Sequence, residues 1–171
     1  VVGSAGSVMT TILDTVDGMM PTLDGPAVWG ISGPASVNEG ATASYTITLS
    51  GVFGAGESVS VVLAVEALST TASGADFATT LAAAVGAAVM GNVRYAYDAA
   101  TMTLTYTAVA DGESGMGGLV IGLGIFNDAF VEGAETLTVA LSAPASTSGV
   151  GAVVGSAGFV TTTIVDTMGA V

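Results

Sequence analysis

The 171 residues contain no cysteine, no histidine and no lysine, and Arg94 is the single cation. Each absence removes a class of function. Without cysteine there is neither a disulfide framework nor a thiol nucleophile. Without histidine the usual general base near neutral pH is missing, together with the imidazole ligands of zinc. Binding to a phosphate backbone needs clustered Lys and Arg, which excludes nucleic acid as a partner and anionic membrane surfaces for the same reason. Hydrophobic residues make up 51% of the chain, yet no apolar run reaches the roughly 18 residues of a membrane span. The best stretch, Leu81 to Met90, is alanine-rich and short, so no membrane insertion is expected. Asn38, Asn92 and Asn127 all lack the context of a glycosylation acceptor. The chain does not begin with Met and displays no secretory signal, which suggests a mature or excised fragment.

What the chain has is acid. There are 14 Asp and Glu residues and a net charge of −13. Hard oxygen donors of this kind suit calcium or magnesium. The apolar residues alternate. Ala43, Tyr45, Ile47 and Leu49 share one face of a period-2 segment, with Ser44, Thr46 and Thr48 on the other. The pattern recurs at Val59–Val65, at Val93–Tyr97, at Leu104 and Tyr106 after the turn Asp98–Thr101, at Leu119–Ile125, at Leu137–Leu141 and at Val160–Ile164. Short β-branched strands between glycine-rich turns predict an all-β, immunoglobulin-like antiparallel β-sandwich. One segment departs from period 2. Phe77, Leu81, Val85 and Val89 recur every four residues among alanines, which predicts one short inserted helix, capped by Asp76 and stopped by Gly91-Asn92. It should pack across an open end or face of the sandwich.

The chain also repeats itself. Val1–Thr15 reads VVGSAGSVMTTILDT and Val153–Thr167 reads VVGSAGFVTTTIVDT, with 12 of 15 positions identical at an offset of 152. This divides the chain into a duplicated strand segment (1–15), a Gly- and Pro-rich linker (16–33), a sandwich (34–167) and the start of a further linker (168–171). Trp29, the only Trp, is expected to plug one end of the domain.

The acids fall at strand ends. Asp128, Glu132 and Glu135 lie within eight residues in NDAFVEGAE; Glu39 lies in VNEG, Asp76 in GADF, and Asp166 ends TIVDT as Asp14 ends its earlier copy. Alternate loops of a sandwich meet at one end, so several of these carboxylates should converge, and a divalent cation would relieve their repulsion. Asp111 and Glu113, in a glycine-rich loop, are expected to face solvent. Arg94 is expected to form a weak surface pair.

The order VNEG, alternating strand, GADF, IFNDAFVEGAETLTVALS and TIVDT resembles a Calx-β domain of the bacterial extracellular repeat-protein type. The resemblance covers about Pro34–Thr167 and is most specific over Asn127–Ser142. It implies a seven-stranded sandwich with calcium at one tip. It further implies Glu39, Asp76, Asp128, Glu132, Glu135 and Asp166 as carboxylate ligands and Phe130 as a carbonyl donor. Asn127, Ala129 and Thr167 stand where the strongest calcium binders carry further acids, which implies one or two calcium ions held weakly.

Three function classes remain. The leading expectation is a structural, calcium-stabilised module or subunit of an extracellular surface fibre, filament or adhesin. Its partners would be neighbouring copies, joined through the Val1–Thr15 strand or through tandem junctions. The alternative is a carbohydrate- or protein-binding sandwich, which would need exposed aromatics, whereas Tyr45, Tyr95 and Tyr106 fall on inward alternation. No carboxylate pair marks a glycoside-cleaving cleft, so an enzyme is not expected.

Overall fold

The structure, a computed structural model, describes residues 25–66, 72, 76–114, 118–127, 133–147 and 151–166. The expected duplicated segment 1–15, the linker up to residue 24 and the tail 168–171 lie outside them. Twelve strands run in chain order: β1 Ala27–Ser32, β2 Ser36–Asn38, β3 Thr42–Ser50, β4 Val52–Phe53, β5 Ser58–Val65, β6 Tyr95–Asp98, β7 Thr103–Thr107, β8 Glu113–Ser114, β9 Leu119–Gly124, β10 Glu135–Ser146, β11 Ala152–Val154 and β12 Phe159–Val165. Among the described residues one helix, α1, spans Leu81–Val89 between β5 and β6.

The alternating segments form the sheets as period 2 requires. One sheet has the order β11-β1-β3-β9 and the other β2-β12-β10-β5-β7-β6, with β4 and β8 as a small separate pair. The molecule is thus an all-β sandwich with one short helix. The inward residues of β3, β5, β7, β9, β10 and β12 meet in one core, and Tyr45, Tyr95 and Tyr106 are all buried in it. Tyr106 packs on Phe53 and Tyr95 with ring centroids 5.3 and 5.5 Å apart in tilted geometry, the arrangement favoured by ring quadrupoles.

Two features differ from the expectation. The sandwich begins at Ala27, inside the expected linker, because Ala27, Trp29 and Ile31 alternate inward along β1. Trp29 is fully buried in the core, with its Nε1 lacking a hydrogen-bond partner. The pairing is also not wholly antiparallel, since β11 runs parallel to β1 and β2 runs parallel to β12. Both cases have one cause. In each, a short segment carries the chain onward from one sheet into the other, from β1 to β2 through Gly33-Pro34-Ala35 and from β11 to β12 through Gly155–Gly158. These crossings close one side of the sandwich.

The helix closes the other side. It packs on β9 and on β6, the edge strands of the two sheets, and buries Leu81, Ala84 and Val85 at the i, i+3, i+4 spacing of one helical face. Its cap is Thr80, whose hydroxyl accepts from Ala83 N at 3.2 Å, and not the expected Asp76. The helix starts a turn later than the apolar stripe because Phe77 is held in a β-bridge to Ile125.

A buried hydroxyl ties the sheets across the core. Tyr45 of β3 donates to Thr162 Oγ1 of β12 at 2.9 Å, and Thr162 donates to the Pro34 carbonyl at 2.8 Å. Thr162 has no solvent exposure. Burial pushes the Tyr45 phenol pKa up, and its bond to Thr162 partly offsets this. Thr162→Val keeps the shape and strands the Tyr45 hydroxyl without its acceptor. A loss of about 1–3 kcal/mol is expected, read as a lower midpoint with unchanged slope in urea unfolding. Wild-type stability in this variant would mean that the bond carries no weight.

Candidate functional site

Four of the expected ligand residues are described, and the backbone brings all four to one end of the sandwich. β2 pairs with β12 up to Asn38 opposite Val165, and Glu39 N then donates to Val165 O at 3.1 Å. Glu39 and Asp166 therefore leave adjacent strands side by side. Glu135 opens β10 opposite Ile164, which sets it beside the same end of β12. Asp76 arrives from the other sheet. Its carbonyl accepts from Phe126 N at 2.8 Å, and Ile125 N donates to Ala41 O at 2.9 Å. Gly40, at φ +74°, completes the link. A Cβ there would lie 3.3 Å from Asn127, so both its left-handed backbone and its close approach favour glycine.

All four acids are half-buried and each is engaged in polar or electrostatic contact. Among the described residues, no three acidic side chains come close enough to form a cation site by themselves. The other expected ligands, Asp128, Phe130 and Glu132, lie outside the described residues, as does Asp14. The segment carrying the first three joins Asn127 to Gly133, the residue two before Glu135.

Arg94 forms the expected ion pair with an acid, and that partner, Glu113, corrects the sequence reading. They lie near the opposite end, where Arg94 O accepts from Thr107 N at the end of β7. Glu113 is not turned to solvent. Arg94 binds it through Nε at 3.1 Å and Nη2 at 3.0 Å, a two-pronged fork, and Tyr106 OH donates to the same carboxylate. The Glu113 side chain is 12% exposed. The Arg94 fork, and then the Tyr106 bond, pull its pKa from the ordinary 4.5 down to about 2. Burial is the main cause that drives the Tyr106 phenol up, with the Glu113 bond second. Asp111 is exposed as expected but accepts from Ala55 N at 2.7 Å. The sequence signal for this cluster was the lone cation itself, because a single arginine among 14 acids is free to select the carboxylate that fits its fork.

The aromatic cluster required of a sugar-binding surface is not formed among the described residues. The two exposed aromatics are Phe126, at the acidic end, and Phe159, which begins β12 at the other end. Phe159 borders a shallow groove of about 550 Å³ on the outer face of β10 and β12, with Glu66, Thr138 and Thr161. Among the described residues, no helix is long and apolar enough to cross a membrane. No family model matches the chain, and no curated protein matches it.

The depressed Glu113 pKa sets a pH dependence. A folded pKa below the unfolded one stabilises fully above about 4.5, and that contribution is lost as pH falls toward 2. Glu113→Gln should be less stable than wild type at pH 7, and the gap should narrow between about pH 5 and 2. Chemical denaturation of both proteins across that range checks it. A gap independent of pH would assign the loss to packing.

Proposed function

We propose that the chain is a structural module of an extracellular fibre, filament or adhesin, of Calx-β type, with calcium bound at its acidic end. The observation that carries this reading is the arrival of Glu39, Glu135 and Asp166 from three strand termini, and of Asp76 from the segment before α1, at one end of the sandwich.

The chemistry of that end favours a hard cation. Glu39, Asp76, Glu135 and Asp166 supply carboxylate oxygens to one end of a chain of net charge −13, and such oxygens suit a hard divalent ion. Calcium accepts 6–8 oxygens in irregular geometry from side chains, carbonyls and water. Glu39, Asp76, Glu135 and Asp166 would hold it together with donors from the Asp128–Glu132 segment. The ion would cross-link β2, β10, β12 and the segment before α1, and so stiffen the place where the chain leaves its last strand. Millimolar extracellular calcium occupies even a site of about 10⁻⁴–10⁻³ M affinity, which supports an extracellular setting. Copies joined end to end would then form the fibre, with the sandwich as the repeating bead.

Thermal unfolding in chelator, in calcium and in magnesium tests the reading. For a site of about 10⁻⁴ M, calcium at about 10 mM stabilises by about 2.7 kcal/mol, a rise of about 5–10 °C in melting temperature for a chain of this size. Magnesium should give little, and the double variant Glu39→Gln with Asp166→Asn should lose most of the calcium response. Equal melting temperatures in all three solutions would sink the calcium site.

A further inference from the structure

The last two strands sit in a slot built by the rest of the sandwich. β11 lies along β1, with Ala152, Val153 and Val154 opposite Ala27, Val28 and Trp29. In the crossing that follows, Gly155 N donates to Trp29 O at 2.9 Å, Ile31 N donates to Ala157 O at 2.7 Å and Leu141 N donates to Gly158 O at 2.7 Å. β12 then inserts between β10 and β2. The slot makes specific demands. A Cβ at Gly155 would lie 3.0 Å from Val28 Cγ1, and one at Gly158 would lie 2.5 Å from Val154 Cγ1. Thr162 and Ile164 are buried, and Val160 packs against the core.

Val1–Thr15 meets each of these demands. Gly3, Gly6, Val8, Thr10 and Ile12 stand where the slot holds Gly155, Gly158, Val160, Thr162 and Ile164. The three positions that differ are Phe159, Thr161 and Val165, replaced in the first copy by Ser7, Met9 and Leu13. All three are exposed in the structure. Every described position of the copy that is buried or half-buried is identical. Similarity arising from composition alone would not respect the in-and-out alternation of β12. One contact is given up: Thr161 bonds the Thr138 hydroxyl at 2.8 Å, and Met9 lacks that group.

We infer that Val1–Thr15 is a second occupant of this slot, and that it enters the β11–β12 position of another copy of the chain. The inference rests on the reading of the chain as an assembling module and names the strand that joins one copy to the next.

Strand direction selects the second copy over the chain's own slot. Because β12 runs parallel to β2, an inserted segment leaves the slot beside Asn38 and Glu39. Its own body begins at Ala27, at the opposite end of the β1–β2 run. To fill its own slot, the chain would have to return along the whole of Ala27–Asn38. That run is about 36–40 Å, so a return would take nearly the whole reach of about 40–43 Å from Thr15 to Ala27 at full stretch, and Gly18, Pro21, Gly25 and Pro26 interrupt that stretch. Between copies no return is needed. The acidic end of the receiving copy then faces the Ala27 end of the donor. The contact is head-to-tail, which propagates as a filament wherever the rotation between copies does not close a ring.

The resident Val153–Thr167 has the advantage of its tether, so the test weakens it in the full chain. Wild type, Ile12→Asp, Ile164→Asp and the double variant are compared in chelator by sedimentation velocity and thermal unfolding. Wild type should form species that lengthen with concentration, and Ile12→Asp should lose them while keeping the wild-type melting temperature. Ile164→Asp should remain folded as oligomers that lengthen with concentration, and the double variant should lose both assembly and fold. Identical mass and melting temperature for Ile164→Asp and the double variant would overturn the inference. If Ile164→Asp does not fold at all, Ile164→Ala is unfolded with excess synthetic Val1–Thr15 peptide. The native peptide should raise the melting temperature and its Ile12→Asp form should not; equal effects of the two peptides would overturn it. Because calcium is absent, assembly that depends on Ile12 in a calcium-indifferent chain would remove the ion and leave the exchange. A calcium response without such assembly would do the reverse.

Discussion

The fold depends on where β12 lies, and the Thr162 hydroxyl fixes that position. It is buried between the sheets, accepts from Tyr45 of the facing sheet and donates to Pro34 in the first crossing. A buried hydroxyl without partners is costly, whereas one with both a donor and an acceptor costs little. A slip of β12 by one residue would break both bonds and turn Ile164 to solvent. Apolar contact alone would not fix the register so firmly, because the outer face of this strand also carries Phe159 and Val165.

From that register the functional end follows. β12 correctly placed sets Val165 opposite Asn38 and Ile164 opposite Glu135. These two pairings bring Glu39, Asp166 and Glu135 together, and the Gly40–Asn127 contact adds the strand end that holds Asp76. The acidic end is thus a consequence of core packing, and any ion bound there would reinforce the strand that already organises the core.

Much of this was legible in the sequence, and the parts that were not have physical reasons. The long alternating strands could be read because one face is buried and the other wet, as in Tyr45–Leu49 against Thr46 and Thr48. β1 was hidden because AVWGIS is bounded by Gly25-Pro26 and Gly33-Pro34, punctuation that reads as a linker. Its antiparallel pairing with β3 and its parallel pairing with β11, 125 positions away by register, make it a strand. The helix was legible from its stripe but its cap was not, since the bridge at Phe77 is a tertiary contact that displaces the start to Thr80. The gathering of Glu39, Asp76, Glu135 and Asp166 could be anticipated from strand ends. The burial of Glu113 could not, because it depends on the Arg94 fork and the Tyr106 hydroxyl converging from β6–β7.

The charge of the chain bears on how copies can meet. Each sheet ends in edge strands, β11 and β9 in one, β2 and β6 in the other, and exposed edges invite unspecific pairing. A chain with 14 acids and one already paired cation opposes that pairing by like-charge repulsion, which acts within about 8 Å at physiological salt. Association then has to come from a contact strong enough to overcome the repulsion. A complete strand entering between β10 and β2, with a threonine and an isoleucine at the positions of Thr162 and Ile164, would be such a contact, and a divalent ion at the acidic end would lower the repulsion where two copies come closest. Under the proposed exchange, negative charge and the duplicated strand would act together: the first would oppose contacts between copies that the second does not specify.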